Sequence, residues 1–140
     1  ARLQTGPLWD SEYSLGISYR SDPAGAWAVP PFKPVFDQKI WSRWKYYGRM
    51  FQDPFFIEAV RKEWTRLKPR IPAVQEKLAA VAHNISEAQK SNFEKWQILN
   101  SYEGAGLICL GSWEAEVEYC EDFLRQRVQW LDEFIKSLEW

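Results

Sequence analysis

The chain has 140 residues, a length typical of one domain built around a single core. Its 18 Lys and Arg residues nearly balance its 19 Asp and Glu residues, and the formal net charge of -1 gives no reason to expect a nucleic acid or an acidic membrane as partner. The stretches without charge are short, and one of them, 24–32, contains Pro30 and Pro31, so no membrane-spanning helix is predicted.

Residues 1–35 hold most of the prolines of the chain. Proline removes a backbone donor and restricts the residue before it, so little regular structure fits there. We predict an extended, loop-rich segment that lies on the remainder of the chain, with room for short β strands at 2–5 and 16–19.

From residue 36 onward the apolar spacing becomes that of amphipathic helices. The first predicted helix ends near Gln52. Asp53-Pro54 then predicts the start of a second helix, because Asp accepts bonds from free amides and proline fits the first helical position. This helix is predicted to run to about Leu67 and to be stopped by Pro69. The predicted apolar faces are Ile40, Trp44, Tyr47 and Phe51 on the first helix, and Phe56, Val60, Trp64 and Leu67 on the second.

A third helix is predicted to open at Pro72 and to continue for roughly seven turns. A glycine-containing loop follows at 100–111, and Ser112 is predicted to cap a last helix whose first turns carry acidic residues. The predicted apolar face of the third helix is Val74, Leu78, Val81, Ile85, Ala88, Asn92, Trp96 and Leu99. That of the last helix is Val117, Cys120, Leu124, Val128, Leu131, Ile135 and Leu138.

These elements predict a mainly α protein, with a four-helix assembly over 36–140 and the extended segment 1–35 in one domain over 1–140. Nine Trp, eight Phe and six Tyr residues supply enough apolar side-chain area for a core, since an aromatic side chain buries roughly 150–250 Å². Trp44, Trp64 and Trp96 are assigned to that core. Cys109 and Cys120 are too few for a disulfide framework, and they are either bridged to each other or free.

Two acids, Asp10 and Glu12, stand on a Gly- and Pro-bounded corner in the stretch GPLWDSEYSLG, residues 6–16. From the residues alone, such a pair is either a solvated turn or a site for a metal that prefers hard oxygen ligands, as Mg²⁺ does. His83 lies between the apolar positions of its helix and is interpreted as a surface or boundary residue. With one histidine in the chain, a catalytic triad has no support.

Several stretches, taken in order, resemble the C-terminal part of the spore-coat-protein-H (CotH) kinase-like family. They are GPLWD at 6–10, RMFQDPFF at 49–56, RKEWTRL at 61–67, SNFEKW at 91–96 and LRQRVQWLD at 124–132. The resemblance implies an atypical protein kinase that uses ATP and magnesium, with a protein as substrate, located outside the cell, in the cell envelope or in the spore coat.

By this resemblance Asp10 is the metal ligand, in the role that Asp-Phe-Gly plays in ordinary kinases, and Glu12 takes the place of a second Asp. Ser11 stands where the family usually has an aromatic residue. The family's phosphate-anchoring Lys and catalytic Asp precede the corner. We therefore expect the chain to be the C-terminal piece of a longer protein, to have the upstream portion as its partner, and not to transfer phosphate by itself.

Two further hypotheses concern binding rather than catalysis. Trp27 and Trp113 have no periodic reason to be buried, so they either cover the helices or engage glycan or a partner protein in a non-enzymatic binding module.

The second helix carries the main local concentration of basic side chains, interleaved with Glu58 and Glu63. It is either a solvated, salt-bridged face or a phosphate or acidic-peptide site. The basic residues are Arg61, Lys62, Arg66, Lys68 and Arg70.

Overall fold

The computed structural model describes residues 49–101 and 109–139, and this part of the chain is mainly α, as predicted, with no strand. The extended segment 1–35 and almost all of the first predicted helix lie outside the described residues. The described helices are α1 (Pro54–Leu67), a short 3-10 helix (Lys68–Arg70), α2 (Ile71–Asn84), α3 (Ser86–Lys95) and α4 (Trp113–Ser137).

The start of α1 is the one that its sequence predicts. Asp53 adopts an extended backbone conformation, its carboxylate accepts a hydrogen bond of 2.9 Å from the amide of Phe55, and Pro54 occupies the first helical position. The helix ends at Leu67, as predicted. Pro69 does not end the helical path, however, because the 3-10 helix leads directly into α2. Proline at the start of a new turn sacrifices no intrahelical bond.

The prediction of one long third helix is wrong, because the segment divides into α2 and α3 at Ile85. There φ is -99° and ψ is 7°, outside the α-helical region. Asn84 and Ile85 both have lower helix propensity than Ala or Leu, which makes this the weak point of the segment.

The predicted apolar face of α2 and α3 is wrong for most of its members, although Leu78 and Leu99 are half-buried. Of its members, Val74, Val81, Ile85 and Trp96 are exposed. The half-buried face lies beside it, keeps helical spacing across the break, and includes polar side chains. It consists of Ile71, Gln75, Leu78, Ala82, Ser86, Gln89 and Phe93.

The N-terminus of α4 confirms the predicted cap: the Ser112 hydroxyl accepts a hydrogen bond of 3.2 Å from the amide of Ala115, and Glu114 and Glu116 lie in the first turn. Gly111, just before the cap, has φ +80°, a left-handed conformation that glycine adopts without steric cost. The predicted apolar face of α4 is half-buried or buried throughout.

Both α1 and α2 pack against α4. The most buried apolar side chains are Ile57 of α1 and Phe123 and Ile135 of α4, at 1%, 4% and 8% exposure. Aromatic rings extend this core: the Phe51 ring meets the Phe56 ring edge-on at 5.2 Å, and the Trp130 and Phe134 rings stack at 4.8 Å. Among the described helices, none is long and apolar enough to cross a membrane.

Candidate functional site

The two predicted metal ligands, Asp10 and Glu12, lie outside the described residues, so their role remains a prediction. Within 49–101 and 109–139, no three or more His, Cys, Asp or Glu side chains gather in a way that holds a metal ion. The described helices therefore offer no alternative metal centre of that kind to the acidic corner.

His83 is exposed, which confirms its interpretation as a surface residue. Cys109 and Cys120 are free thiols rather than a bridge. The Cys109 thiol donates to the carbonyl oxygen of Leu99 at 2.9 Å, and burial, with Glu116 and Glu121 nearby, raises the pKa of the Cys120 thiol. A raised thiol pKa leaves less thiolate at neutral pH, so Cys120 has the properties of a packing residue and not of a nucleophile.

The side chains that converge most closely belong to a cluster where α1 meets α4. The indole Nε1 of Trp64 donates to Oδ1 of Asp132 at 2.9 Å, and the ammonium of Lys68 donates to the same oxygen at 2.8 Å. The ammonium of Lys136 donates to Oδ2 at 2.6 Å. Both carboxylate oxygens are thus bonded, and the Asp132 side chain is 18% exposed.

These bonds determine the charge state of the cluster. Lys136 first, then Lys68 and Trp64, hold the pKa of Asp132 well below its usual range, because each donates to the ionised carboxylate. Asp132 is consequently an anion at any physiological pH. It joins α1, the turn after α1, and the last turns of α4 through one side chain.

A groove of about 750 Å³ opens over this cluster. Its floor is apolar and its rim carries three cations against one carboxylate, a local excess of two positive charges on a chain of net charge -1. The guanidinium of Arg61 donates to the carbonyl of Leu138 on one side of the groove. We call this feature the α1–α4 groove; it is lined by Arg61, Trp64, Thr65, Lys68, Pro69, Asp132, Ile135 and Lys136.

Two of the five basic residues over 61–70 form salt bridges, in line with the first of the two predicted interpretations. Arg66 Nε donates to the Glu63 carboxylate at 2.9 Å, and Lys68 is paired with Asp132. The bond from Arg66 lowers the pKa of Glu63. The same segment nevertheless contributes two of the cations on the rim of the α1–α4 groove, so the acidic-peptide interpretation remains a hypothesis with a defined location.

The tryptophans divide differently from the prediction. Trp64 is half-buried, as expected of a core residue, but Trp96 is 56% exposed, so its assignment to the core is wrong. Trp113 is half-buried, with its ring centroid 6.3 Å from that of Phe93, which favours the covering role over ligand binding. Trp27 and Trp44 lie outside the described residues.

Sequence reasoning did not single out Asp132, although a signal was present. Trp64 and Asp132 belong to two of the stretches that carry the family resemblance, 61–67 and 124–132, and the structure joins these stretches by a direct hydrogen bond. The two residues are 68 positions apart along the chain. Apolar periodicity could not predict their contact, because it relates only residues within one helix.

Comparison with known proteins gives one positive finding. A family model described as CotH kinase protein matches residues 1–131, which include both the acidic corner and most of the described helices. No curated protein and no solved structure shows a significant match.

Proposed function

Because the chain belongs to the CotH kinase family, we propose that it is the C-terminal helical lobe of a CotH-like atypical protein kinase. In this proposal Asp10, assisted by Glu12, is a ligand of the Mg²⁺ that accompanies ATP. The observation that carries the proposal is the single family match that spans the corner and the helices together. The donor set fits the metal, since Mg²⁺ binds hard carboxylate oxygens and needs only one or two from the protein.

The metal would neutralise charge on the transferred phosphoryl group. The contribution of this chain is to hold the Asp10 carboxylate at a fixed place, because a displacement of about 1 Å can cost on the order of a hundredfold in rate. The described helices are suited to that role. The Asp132 cluster fixes α1 and the following turn to α4 by direct side-chain bonds, so this part of the helical lobe is held in place.

Phosphoryl transfer also needs a phosphate-anchoring Lys and a catalytic Asp. In the family these precede the Gly-Pro-x-Trp-Asp corner, and we propose that the upstream portion of the same protein supplies them. The 140-residue chain alone is then expected to lack phosphotransferase activity.

The proposal is tested with radiolabelled ATP and Mg²⁺ on the gene product that contains this chain. Asp10→Asn should lower phosphate transfer to a protein acceptor by on the order of a hundredfold or more, since it removes a charged ligand from the metal. Asp122→Asn is the matched control, because Asp122 is an exposed acid paired with Arg125 on α4, and it should leave the rate unchanged. Full activity of Asp10→Asn, or turnover by the 140-residue chain alone, would contradict the proposal.

The α1–α4 groove is the proposed docking site for the protein substrate. Its rim has an excess of positive charge and its floor is apolar, which suits an acidic segment with an apolar side chain. Lys136→Gln should raise KM for an acidic protein substrate severalfold while kcat stays constant, because the residue binds and does not react. Lys90→Gln, an exposed lysine on α3, is the control. An unchanged KM for Lys136→Gln would rule out this docking site.

A further inference from the structure

A second groove, of about 380 Å³, runs along α1 on the other side of Trp64 from the α1–α4 groove. Its α1 wall follows helical spacings of three and four positions, and Ile135 of α4 forms the opposite wall. Among the described residues that line it, Glu63 is the one charged side chain, and Ala59, Glu63 and Leu67 are exposed. We call this feature the apolar groove. Its α1 wall consists of Phe56, Ala59, Val60, Glu63, Trp64 and Leu67.

The turn before α1 brings the chain to one end of the apolar groove. Arg49 and Met50 are helical. The amide of Gln52 donates to the carbonyl of Arg49, and the amide of Asp53 donates to the carbonyl of Met50, each at 3.0 Å. Pro54 then begins α1, so only three residues separate the two helical segments. A connection of this length is typical of two antiparallel helices, so the segment that ends at Met50 is expected to run back along α1.

Phe51 sets the register of this pairing. Its ring meets the Phe56 ring edge-on at 5.2 Å and lies 6.3 Å from the Phe134 ring, at the end of the apolar groove. Phe51 stands two positions before Asp53, and Phe56 stands two positions after Pro54. In an antiparallel pair of helices, residues at equal distances from the turn face each other. The contact between the two rings therefore fixes which residues meet farther along α1.

The segment 36–48 lies outside the described residues, but its sequence fits this register. The same count from the turn pairs Tyr47 with Val60, Trp44 with the Glu63–Trp64 step, and Ile40 with Leu67. Ile40, Trp44 and Tyr47 are the apolar face that the sequence predicts for the first helix, at the helical spacings of three and four. The thirteen residues span about 20 Å as a helix, and the groove from Phe56 to Leu67 needs about 16 Å.

We propose that segment 36–48 of the same chain docks in the apolar groove as a helix antiparallel to α1. Charge complementarity supports this occupant, because the segment carries three basic residues against one acidic residue and the charged lining residue is Glu63. A separate partner would have to displace a segment tethered by a three-residue turn, which gives that segment a very high effective concentration. The apolar groove is then an internal interface and not a ligand site. The docked segment anchors the chain that leads from the acidic corner at Asp10 to the helices.

The test is disulfide trapping in the 140-residue chain, with Cys109→Ser and Cys120→Ala removing the native thiols. Two pairs lie in register, Tyr47→Cys with Val60→Cys and Ile40→Cys with Leu67→Cys, and both should oxidise readily, because a disulfide forms where Cα atoms lie within about 7 Å. Tyr47→Cys with Leu67→Cys is the matched control. It shifts one thiol two turns along the same face of α1, or about 10 Å, and should oxidise about tenfold more slowly.

Mass spectrometry of proteolytic peptides identifies the bridges, and a non-reducing gel separates bridges within one chain from bridges between chains. Slow oxidation of both in-register pairs in variants that keep helical circular dichroism would overturn the proposal, and so would equal rates for in-register and shifted pairs. A Tyr47–Val60 bridge formed between two chains would replace it by exchange of the segment with a second copy.

Urea unfolding supplies a measurement without added cysteines. Tyr47→Ala and Val60→Ala should each destabilise the chain, and the double variant should lose less than the two single losses together, because both remove the same contact. Strictly additive losses would count against the register.

Discussion

Replacing Ile57 by Ala is the sharpest test of the described core. Ile57 is 1% exposed and lies on the side of α1 that also carries Arg61 and Trp64, one and two turns later, both of which bond to the last part of α4. A side chain so enclosed leaves a cavity when it is shortened, since the packed surroundings relax only in part.

The expected loss follows from the atoms removed. Ile57→Ala deletes three buried carbons at about 0.8 kcal/mol each, or about 2.4 kcal/mol of transfer free energy. The residual cavity adds about 1 kcal/mol, and the better helix propensity of Ala returns about 0.4 kcal/mol. The net decrease in the free energy of unfolding is about 3 kcal/mol, a large part of the 5–15 kcal/mol typical of a domain.

Urea unfolding of the 140-residue chain, followed by tryptophan fluorescence and by far-ultraviolet circular dichroism, measures this decrease. Val74→Ala is the matched control, because Val74 is 56% exposed on α2 and its truncation should change the free energy of unfolding by no more than about 0.5 kcal/mol. Ile57→Val should fall between the two, near 1 kcal/mol. A loss below about 1 kcal/mol for Ile57→Ala, or an equal loss for Val74→Ala, would show that the packed faces have been misassigned.

Three further predictions concern single groups. Ser112→Ala should lower the free energy of unfolding by about 1 kcal/mol through loss of the α4 cap, measured by urea unfolding, whereas Ser91→Ala on the exposed side of α3 should have little effect. Because the folded pKa of Asp132 is depressed, the stabilising contribution of this carboxylate is present above about pH 4 and is lost as the pH falls towards the folded value. Asp132→Asn should therefore reduce the fall in the urea unfolding midpoint at acid pH. An unchanged pH dependence of the midpoint would count against the cluster. With Cys109→Ser in place, the remaining thiol of Cys120 should react with a disulfide reagent at a rate whose pH midpoint lies above that of a free cysteine; a midpoint at or below the free value would contradict burial as the cause.

The helix boundaries that carry a local chemical signal could be predicted from the sequence. Asp53-Pro54 fixes the start of α1, and Ser112 fixes the start of α4, because capping involves only residues a few positions apart. The division at Ile85 has a weaker signal, since low helix propensity at two adjacent positions seldom outweighs a long periodic pattern.

The packed face of α2 and α3 could not be predicted, because it is decided by the contact with α4 and not by the apolar count within the segment. The stripe that contains Val74 and Val81 is more apolar than the neighbouring face with Gln75 and Gln89, yet the latter is half-buried. Tertiary position therefore overrides the pattern.

The candidate site shows the same division between local and distant information. The basic character of α1 is visible in the sequence, whereas the carboxylate that pairs with Lys68 comes from Asp132, at the other end of the described chain. The family resemblance includes both stretches, 61–67 and 124–132, but it does not predict that they are in contact. A contact between distant stretches needs either coordinates or an alignment in which paired positions change together.

The long α4 has a mechanical consequence for the whole described body. At 25 residues it extends for about 37 Å, and α1 and α2 each rest on it. We predict that the contacts of α1 and of α2 with α4 open in two separate steps, each below the free energy of global unfolding. Amide hydrogens near the middle of α4 should then exchange most slowly. A partner that binds α1 or α2 would leave the other helix free to open locally.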